Sequence, residues 1–242
     1  MLIYGKNVAL EKLKTKDKIN KIYLSNKFKE EEILSLIQKR NIKVKILDNH
    51  ALDKITKGLH QGIILEVEDI KTYTIEEVLP NINKEYPLVV ILDHLEDPHN
   101  FGAIIRSSEA FGVDAIIIPN DRSVDITSTV VKTSVGTIEK MKIIKVPNIN
   151  NAIEKLKKYN YWIVGTDMNG EDYTTIDYKT KIALIIGNEG KGISNLVKRN
   201  CDYLAKIPMT GTVNSLNASV ACGIFLAQIS TIRGNRWMNT IF

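Results

Sequence analysis

The sequence predicts an α/β protein: a doubly wound parallel sheet preceded by a smaller α/β layer domain. Three observations carry that expectation. From Pro87 onward, short and continuously apolar segments alternate with helical ones. Strands of that length and uniformity belong in a parallel sheet covered on both faces. The first 69 residues repeat the order helix, strand three times. Between the two units lies a polar stretch, residues 70–86, with Pro80 as a stop. The expected division is therefore a domain at 1–69, a linker at 70–86 and a second domain at 87–242.

In the first unit, Asn7 is placed to cap a helix over 8–13 whose apolar face is Val8, Leu10 and Leu13. A strand follows at 21–25. A helix over 30–40 carries Ile33, Leu34 and Ile37, with its acids leading its basic residues as the helix dipole favours. Residues 43–47 alternate as a strand, 52–57 form a short helix and 62–67 a last strand. In the second unit the strands read 88–92, 115–118, 142–146, 161–164, 182–186 and 203–207. Helices fall near 101–111, 126–134, 149–158, 193–197 and 218–231.

At 242 residues and 44% hydrophobic content the chain can bury a self-sufficient core. No apolar run reaches the roughly 18 residues that a membrane span needs. Met1 leads into Leu2-Ile3-Tyr4-Gly5-Lys6 without the charged and apolar regions of an export signal, so a cytoplasmic protein is expected. Cys201 and Cys222 are then expected to be reduced, and their spacing fits no zinc motif. The net charge is +5 and uneven: residues 1–69 carry 14 Lys and Arg against 10 Asp and Glu. That excess suits a nucleic-acid partner, and equally a solvated lysine-rich face.

The residues that carry chemistry cluster late. Gly187-Asn188-Glu189-Gly190-Lys191-Gly192 closes one apolar strand, and Ile207-Pro208-Met209-Thr210-Gly211 closes another. Ser215-Leu216-Asn217 then opens a long helix. Loops at the carboxyl ends of buried strands are where open α/β sheets bind ligands, and glycines let the main chain approach one closely. The spacing is not a dinucleotide fingerprint, and Gly192 after Lys191 breaks a phosphate-loop reading. No G-x-S-x-G elbow is present. His94 and His99 sit beside Asp93, Glu96 and Asp97 on a single loop with no second cluster, so no metal is expected. Asn100, at a predicted helix start, reads as a cap. Arg106, inside the apolar run Ala103 to Phe111, needs a partner: an internal carboxylate such as Asp93 or Glu109, or a phosphate. Ser215 and Asn217 are candidate caps, and His60 a turn or capping residue. The small residues Ala218, Ala221, Gly223 and Ala227 suit close helix packing.

A further block lies upstream, Asp97-Pro98-His99-Asn100-Phe101-Gly102 followed by Arg106 and Phe111-Gly112. With the glycine loop, Ile-Pro-Met-x-Gly and Ser-Leu-Asn in that order, the chain resembles the SpoU (TrmH) family of RNA ribose 2′-O-methyltransferases over residues 86–235. Gly5-Lys6-Asn7-Val8 and His60-Gln61-Gly62-Ile63 resemble that family's substrate-binding domain, which is related to the ribosomal L30e fold. On this reading His60 belongs to an RNA-facing end.

The resemblance implies a SPOUT-type deep trefoil knot, which no composition or periodicity predicts. It implies S-adenosylmethionine held at Gly187, Ile207 and Leu216, with Gly165 and Thr166 lining the same cleft. It assigns catalysis to Asn100, Arg106, Glu189, Ser215 and Asn217, with no metal. The implied partners are structured RNA, ribosomal RNA first, and a second copy of the chain. Arg106 matches the family's motif arginine for the 2′-hydroxyl. Because arginine stays protonated, stabilising a developing alkoxide or seating a phosphate is easier for it than abstracting a proton. The two-domain build most resembles enzymes that methylate a guanosine of 23S rRNA. Alternatives are a tRNA ribose methyltransferase, a resistance-type rRNA adenosine methyltransferase and a catalytically silent RNA-binding protein. Retention of the polar residues in all three blocks speaks against the last. Ser107-Ser108 stands where Thr-Ala is commoner in the family, and Ala218 where Val is.

Overall fold

Two sheets form, one from each unit. The structure, a computed structural model, describes residues 1–121, 123–134, 136–212 and 215–234; the end of the expected second domain, 235–242, lies outside the described residues. The first sheet uses β1 (Leu2–Tyr4), β2 (Ile19–Ser25), β3 (Val44–Leu47) and β4 (Ile63–Val67) in the order β1-β4-β2-β3. β4 runs antiparallel to β1 and β2, while β3 is parallel to β2. Helices α1 (Lys6–Lys14), α2 (Glu31–Lys39) and α3 (Asn49–Ile55) connect them. β1 has no counterpart in the sequence reading: three residues are too few for periodicity, and Ile3 is placed by pairing across to Leu65. The capping role expected of Asn7 falls instead to Gly5, whose φ of 96° turns β1 into α1 without Cβ strain. Asn7 sits inside the helix.

The second sheet has seven strands in the order β11-β9-β10-β6-β7-β8-β5, and every pairing is parallel. Its strands are β5 (Thr72–Tyr73), β6 (Leu88–Asp93), β7 (Ala115–Pro119), β8 (Ile143–Val146), β9 (Trp162–Asp172), β10 (Ile182–Gly187) and β11 (Tyr203–Lys206). The stretch read as a linker is partly built into this sheet. β5 pairs with β8, and α4 (Ile75–Val78) buries Ile75 and Val78. A reciprocal Thr74–Glu77 capping box starts that helix.

Side chains alternate between two cores, as a pleated sheet requires. Val89, Ile91, Ala115 and Ile117 face α4, α7 (Ile149–Lys158) and α8 (Asn195–Asn200). Leu88, Val90, Leu92, Ile116 and Ile118 share a core with α5 (Pro98–Ala110), α6 (Ser128–Thr133) and α9 (Ala218–Ile232). This second core is continuous with that of the N-terminal domain. An ionic contact joins the domains as well: Lys12 pairs with Glu139 and, at 3.0 Å, with Asp17. Hydrogen bonding to Glu139, then to Thr15 and Lys12, holds the Asp17 carboxyl down at about 2, whereas burial raises that of Glu139. Past the end of α9, Arg233 donates to the carbonyls of Tyr86, Tyr178 and Thr180 at 2.8–2.9 Å. Among the described residues no helix is long and apolar enough to cross a membrane.

Candidate active site

The chain winds outward from β6 through β7 to β8, then crosses to build β9, β10 and β11 on the other side. β6 and β10 therefore meet where the direction of winding changes, the usual ligand position in such sheets. Asp93 ends β6 and is only 2% exposed. Its Oδ2 accepts from the Ser194 amide at 2.7 Å and its Oδ1 lies 2.6 Å from His94 Nδ1. This buried carboxylate ties the segment after the glycine loop to the centre of the sheet. It is thus unavailable as the partner considered for Arg106. The loop closes on itself through two main-chain bonds between Asn188 and Gly192, and Asn188 Nδ2 donates to the His94 carbonyl at 3.1 Å. A Cβ on Gly187 would lie 2.3 Å from the Gly192 carbonyl carbon and 2.4 Å from the Ile193 nitrogen. Only glycine fits there.

A cleft of about 850 Å³ opens beside this loop, walled by Thr166, Gly187, Ile207 and Leu216 together with Met209 and Phe225. Four of the five expected cofactor positions therefore meet. The fifth, Gly165, does not line the cleft: a Cβ there would meet Cys201 Sγ and Ile193 Cδ1 at 2.7 Å. Successive strand residues face opposite sides, so Thr166 faces the cleft and Gly165 packs behind it. The Thr166 hydroxyl donates to the Ile185 carbonyl at 3.0 Å. One ion pair in the cleft wall, Asp167 with Lys198, was not anticipated. Burial acts to raise the Asp167 carboxyl, but Lys198 and the Asn169 amide outweigh it and hold it below the ordinary range. Both cysteines are free, and burial pushes each thiol up to about 12, away from reactive thiolate.

The polar set assembles across three elements. Asn217 caps α9: its Oδ1 accepts from the amides of Ser219 at 2.9 Å and Val220 at 3.3 Å. Its Nδ2 donates to Asn100 Oδ1 at 2.9 Å. Asn100 Nδ2 in turn donates to Glu189 Oε1. Asn100 does not cap α5; Asp97 does, accepting from the His99 amide at 2.9 Å with Pro98 in the first turn. Instead Asn100, 8% exposed, lies within the helix and has both ends of its amide committed. Glu189 and Ser215 line the cleft.

Arg106 is not brought into this network. Six residues along a helix is about 9 Å of rise and a turn of some 240° from Asn100, and the side chain is exposed. The internal salt bridge considered for it does not form, since Glu109 pairs with Lys140 at 3.7 Å. Among the described residues Arg106 has no ion-pair partner.

A family model described as "SpoU rRNA Methylase family" matches residues 87–227, and one described as "RNA 2'-O ribose methyltransferase substrate binding" matches 2–73. The chain belongs to the SpoU methylase family. This SpoU protein is 37% identical over 233 residues to a Bacillus subtilis protein named as a TrmH family tRNA/rRNA methyltransferase, covering 94% of each chain. Among solved structures it resembles the AdoMet-bound rRNA methyltransferase from Sinorhizobium meliloti, with TM-score 0.72 and 26% identity over 95% of this chain and 86% of that one. The TrmH/SpoU tRNA modifying enzyme of A. aeolicus is similar over a smaller share, 62% of this chain and 77% of its own, with TM-score 0.57 and 29% identity.

Proposed function

We propose that this SpoU enzyme methylates a ribose 2′-hydroxyl of ribosomal RNA, a guanosine of 23S rRNA being the favoured target. The enzyme is an RNA methyltransferase that uses S-adenosylmethionine. The observation that carries the reading is the Asn217–Asn100–Glu189 chain, whose outer end, Glu189, lines the same cleft as Gly187, Ile207 and Leu216. The cleft suits the cofactor: about 850 Å³ lies within the range of small-molecule sites. Ile186, Ile207, Leu216 and Phe225 offer apolar wall, and the glycine loop offers main-chain polar groups. When bound, S-adenosylmethionine supplies a methyl group already activated by its sulfonium.

What remains for the protein is orientation and charge. Asn100, fixed at both ends, holds Glu189 in place. The second Glu189 oxygen, without a partner among the described residues, accepts from the ribose hydroxyl. Ser215 adds a polar wall. Arg106, which stands apart from this network, seats the phosphate next to the reacting ribose, and the lack of an ion-pair partner among the described residues leaves the guanidinium free to do so.

The preference for rRNA is supported by coverage. The rRNA enzyme of S. meliloti matches nearly the whole chain, whereas the likeness to the tRNA enzyme spans a share close to the methylase match alone. On this reading residues 1–69 recruit RNA in the cytoplasm, 70–86 join the domains and 87–242 carry the knotted methyltransferase. α9 forms a homodimer seam, which is supported by Val220, 50% exposed on a helix rich in small residues. The joint tRNA/rRNA name of the Bacillus relative supports a tRNA ribose as the second reading. Mapping 2′-O-methyl groups in 23S rRNA and tRNA from cells lacking the gene separates them. Loss of a single 23S guanosine methyl, restored by the wild-type gene, is expected; loss confined to tRNA overturns the rRNA assignment.

A further inference from the structure

A second cavity, about 640 Å³, lies in the N-terminal domain, away from the methyl-transfer cleft. It opens where β2 and β3 end and β4 and α1 begin, lined by Ser25, Asn49, Gly62 and Lys6 from those four places. Four lysines line it (Lys6, Lys27, Lys29 and Lys57) against two carboxylates, Glu30 and Asp53. Glu30 pairs with Lys6 at 2.5 Å and Asp53 shares a hydrogen bond with His60 at 2.9 Å, so lysines outnumber carboxylates by two. Among the described residues Lys27, Lys29 and Lys57 have no ion-pair partner, so the cavity keeps an uncompensated positive rim.

Its apolar parts are equally specific. Phe28 lines the cavity with its ring against Gly62, where a Cβ would stand 3.1 Å from Phe28 Cδ2 and φ is +83°. Lys6 Nζ lies 6.0 Å from the ring centroid. Leu59, on the same cavity, is 75% exposed. His60 fixes the turn between them: its Nδ1 accepts from the Gly62 amide at 2.9 Å and its Nε2 meets Asp53. A lone surface leucine needs no explanation. A leucine and a phenylalanine lining one cavity with three lysines that have no ion-pair partner among the described residues describe a ligand that is flat and apolar in one part and polyanionic in the next.

We infer that this cavity takes an unpaired nucleobase of the substrate RNA, stacked against Phe28 and Leu59, with the flanking phosphates held by Lys27, Lys29 and Lys57. The inference rests on the RNA methyltransferase reading and deepens it: the N-terminal domain reads a loop or bulge, not a regular helix. A base within a duplex is stacked on its neighbours and cannot enter a concave site, whereas splayed bases of single-stranded segments stack on aromatic side chains.

The test uses the full chain and fluorescence anisotropy with two probes: a labelled oligoadenylate of about ten nucleotides, within the usual single-strand site size, and a blunt RNA duplex of about sixteen base pairs. The wild type is expected to prefer the oligoadenylate, with a slope of log affinity on log salt near about −2 for three phosphate contacts. Changing Lys27, Lys29 and Lys57 together to Gln should flatten that slope towards zero. Phe28→Leu should weaken binding by about 5- to 150-fold, the range for loss of one stacked base, and leave the slope in place. Leu59→Ser, at an exposed position that cannot unfold the domain, should weaken it in the same direction. Thermal melts and S-adenosylmethionine calorimetry accompany each variant. Oligoadenylate binding unaffected by the lysine changes overturns the site. Binding that depends on the lysines but not on Phe28 or Leu59 overturns the base pocket, leaving only a charged patch. No binding of the wild type to either RNA overturns the proposal. Failure of the wild type to bind S-adenosylmethionine, with RNA binding intact, sinks the methyltransferase reading alone.

Discussion

The two cavities are built on opposite principles. Around the C-terminal cleft a connected set of polar groups is fixed in place: Asp93 holds Ser194, Asn188 closes on Gly192, Asn217 holds Asn100 and Asn100 holds Glu189. Its glycine loop admits no Cβ at Gly187. In the N-terminal cavity three lysines have no ion-pair partner among the described residues and a leucine faces solvent. A preorganised site suits a small ligand and a reaction whose rate depends on placement. An open, charged one suits a large polyanion met at varied approach and is sensitive to salt. Substitutions in the cleft should therefore act on methyl transfer and cofactor affinity, and those in the N-terminal cavity on RNA affinity.

The largest effect expected in the methyltransferase domain is at Arg106. Arg106→Ala should lower single-turnover methylation by about 100- to 1,000-fold, the usual cost of one charge-stabilising donor, with S-adenosylmethionine affinity nearly unchanged. Arg106→Lys should not restore it, because an ammonium cannot reproduce the planar fork. An exposed side chain contributes little to the fold, so the melting temperature should hold. Near-normal turnover in a folded Arg106→Ala protein removes the residue from catalysis.

Next is the glycine loop. Gly187→Val forces the Gly192–Ile193 backbone to move, a strain of about 1–3 kcal/mol. If the loop shape holds the cofactor, calorimetry should show affinity falling by about 5- to 150-fold while oligonucleotide binding at the N-terminal cavity is untouched. A fall in both would show that the two regions are not separable.

Asn217 allows a finer cut. Asn217→Ala loses the α9 cap, about 1 kcal/mol, and leaves the Asn100 carbonyl oxygen unpaired. Asn217→Asp keeps the cap acceptor but cannot donate to Asn100. The Asp variant should melt near the wild type yet methylate more slowly; equal rates would make the Asn100 contact incidental.

Much of this architecture was legible in the residues. The apolar strands gave the parallel sheet because burial on both faces leaves no room for polar alternation. Strands β1 and β5 escaped because segments of three and two residues exist only through their partners. Asn100 looks like a cap from its place before an apolar run, but Asp97-Pro98 carries the stronger signal, a cap followed by proline in the first turn. The apolar neighbours Ile104 and Ile105 suggest a core setting for Arg106, yet the helix turns those two inward while Arg106 faces out. The loop glycines, Ile207 and Leu216 were legible as a block. Asp93 as the loop's anchor was not, since a contact to Ser194 across 101 residues has no local trace.

The smallest predicted effect lies outside both cavities. Ser108 Oγ is buried and has no hydrogen-bond partner among the described residues. Ser108→Ala should stabilise the protein by about 1 kcal/mol, raising the melting temperature by about 2–4 °C with no change in cofactor or RNA affinity. A lower melting temperature would mean the hydroxyl is satisfied in solution.

The most direct test of the central claim is calorimetric titration of S-adenosylmethionine into the full chain, wild type beside Gly187→Val. One-site binding by the wild type, weakened in the variant while both proteins remain folded, is the predicted result. A folded wild-type protein that takes up no S-adenosylmethionine, with or without RNA present, would contradict it.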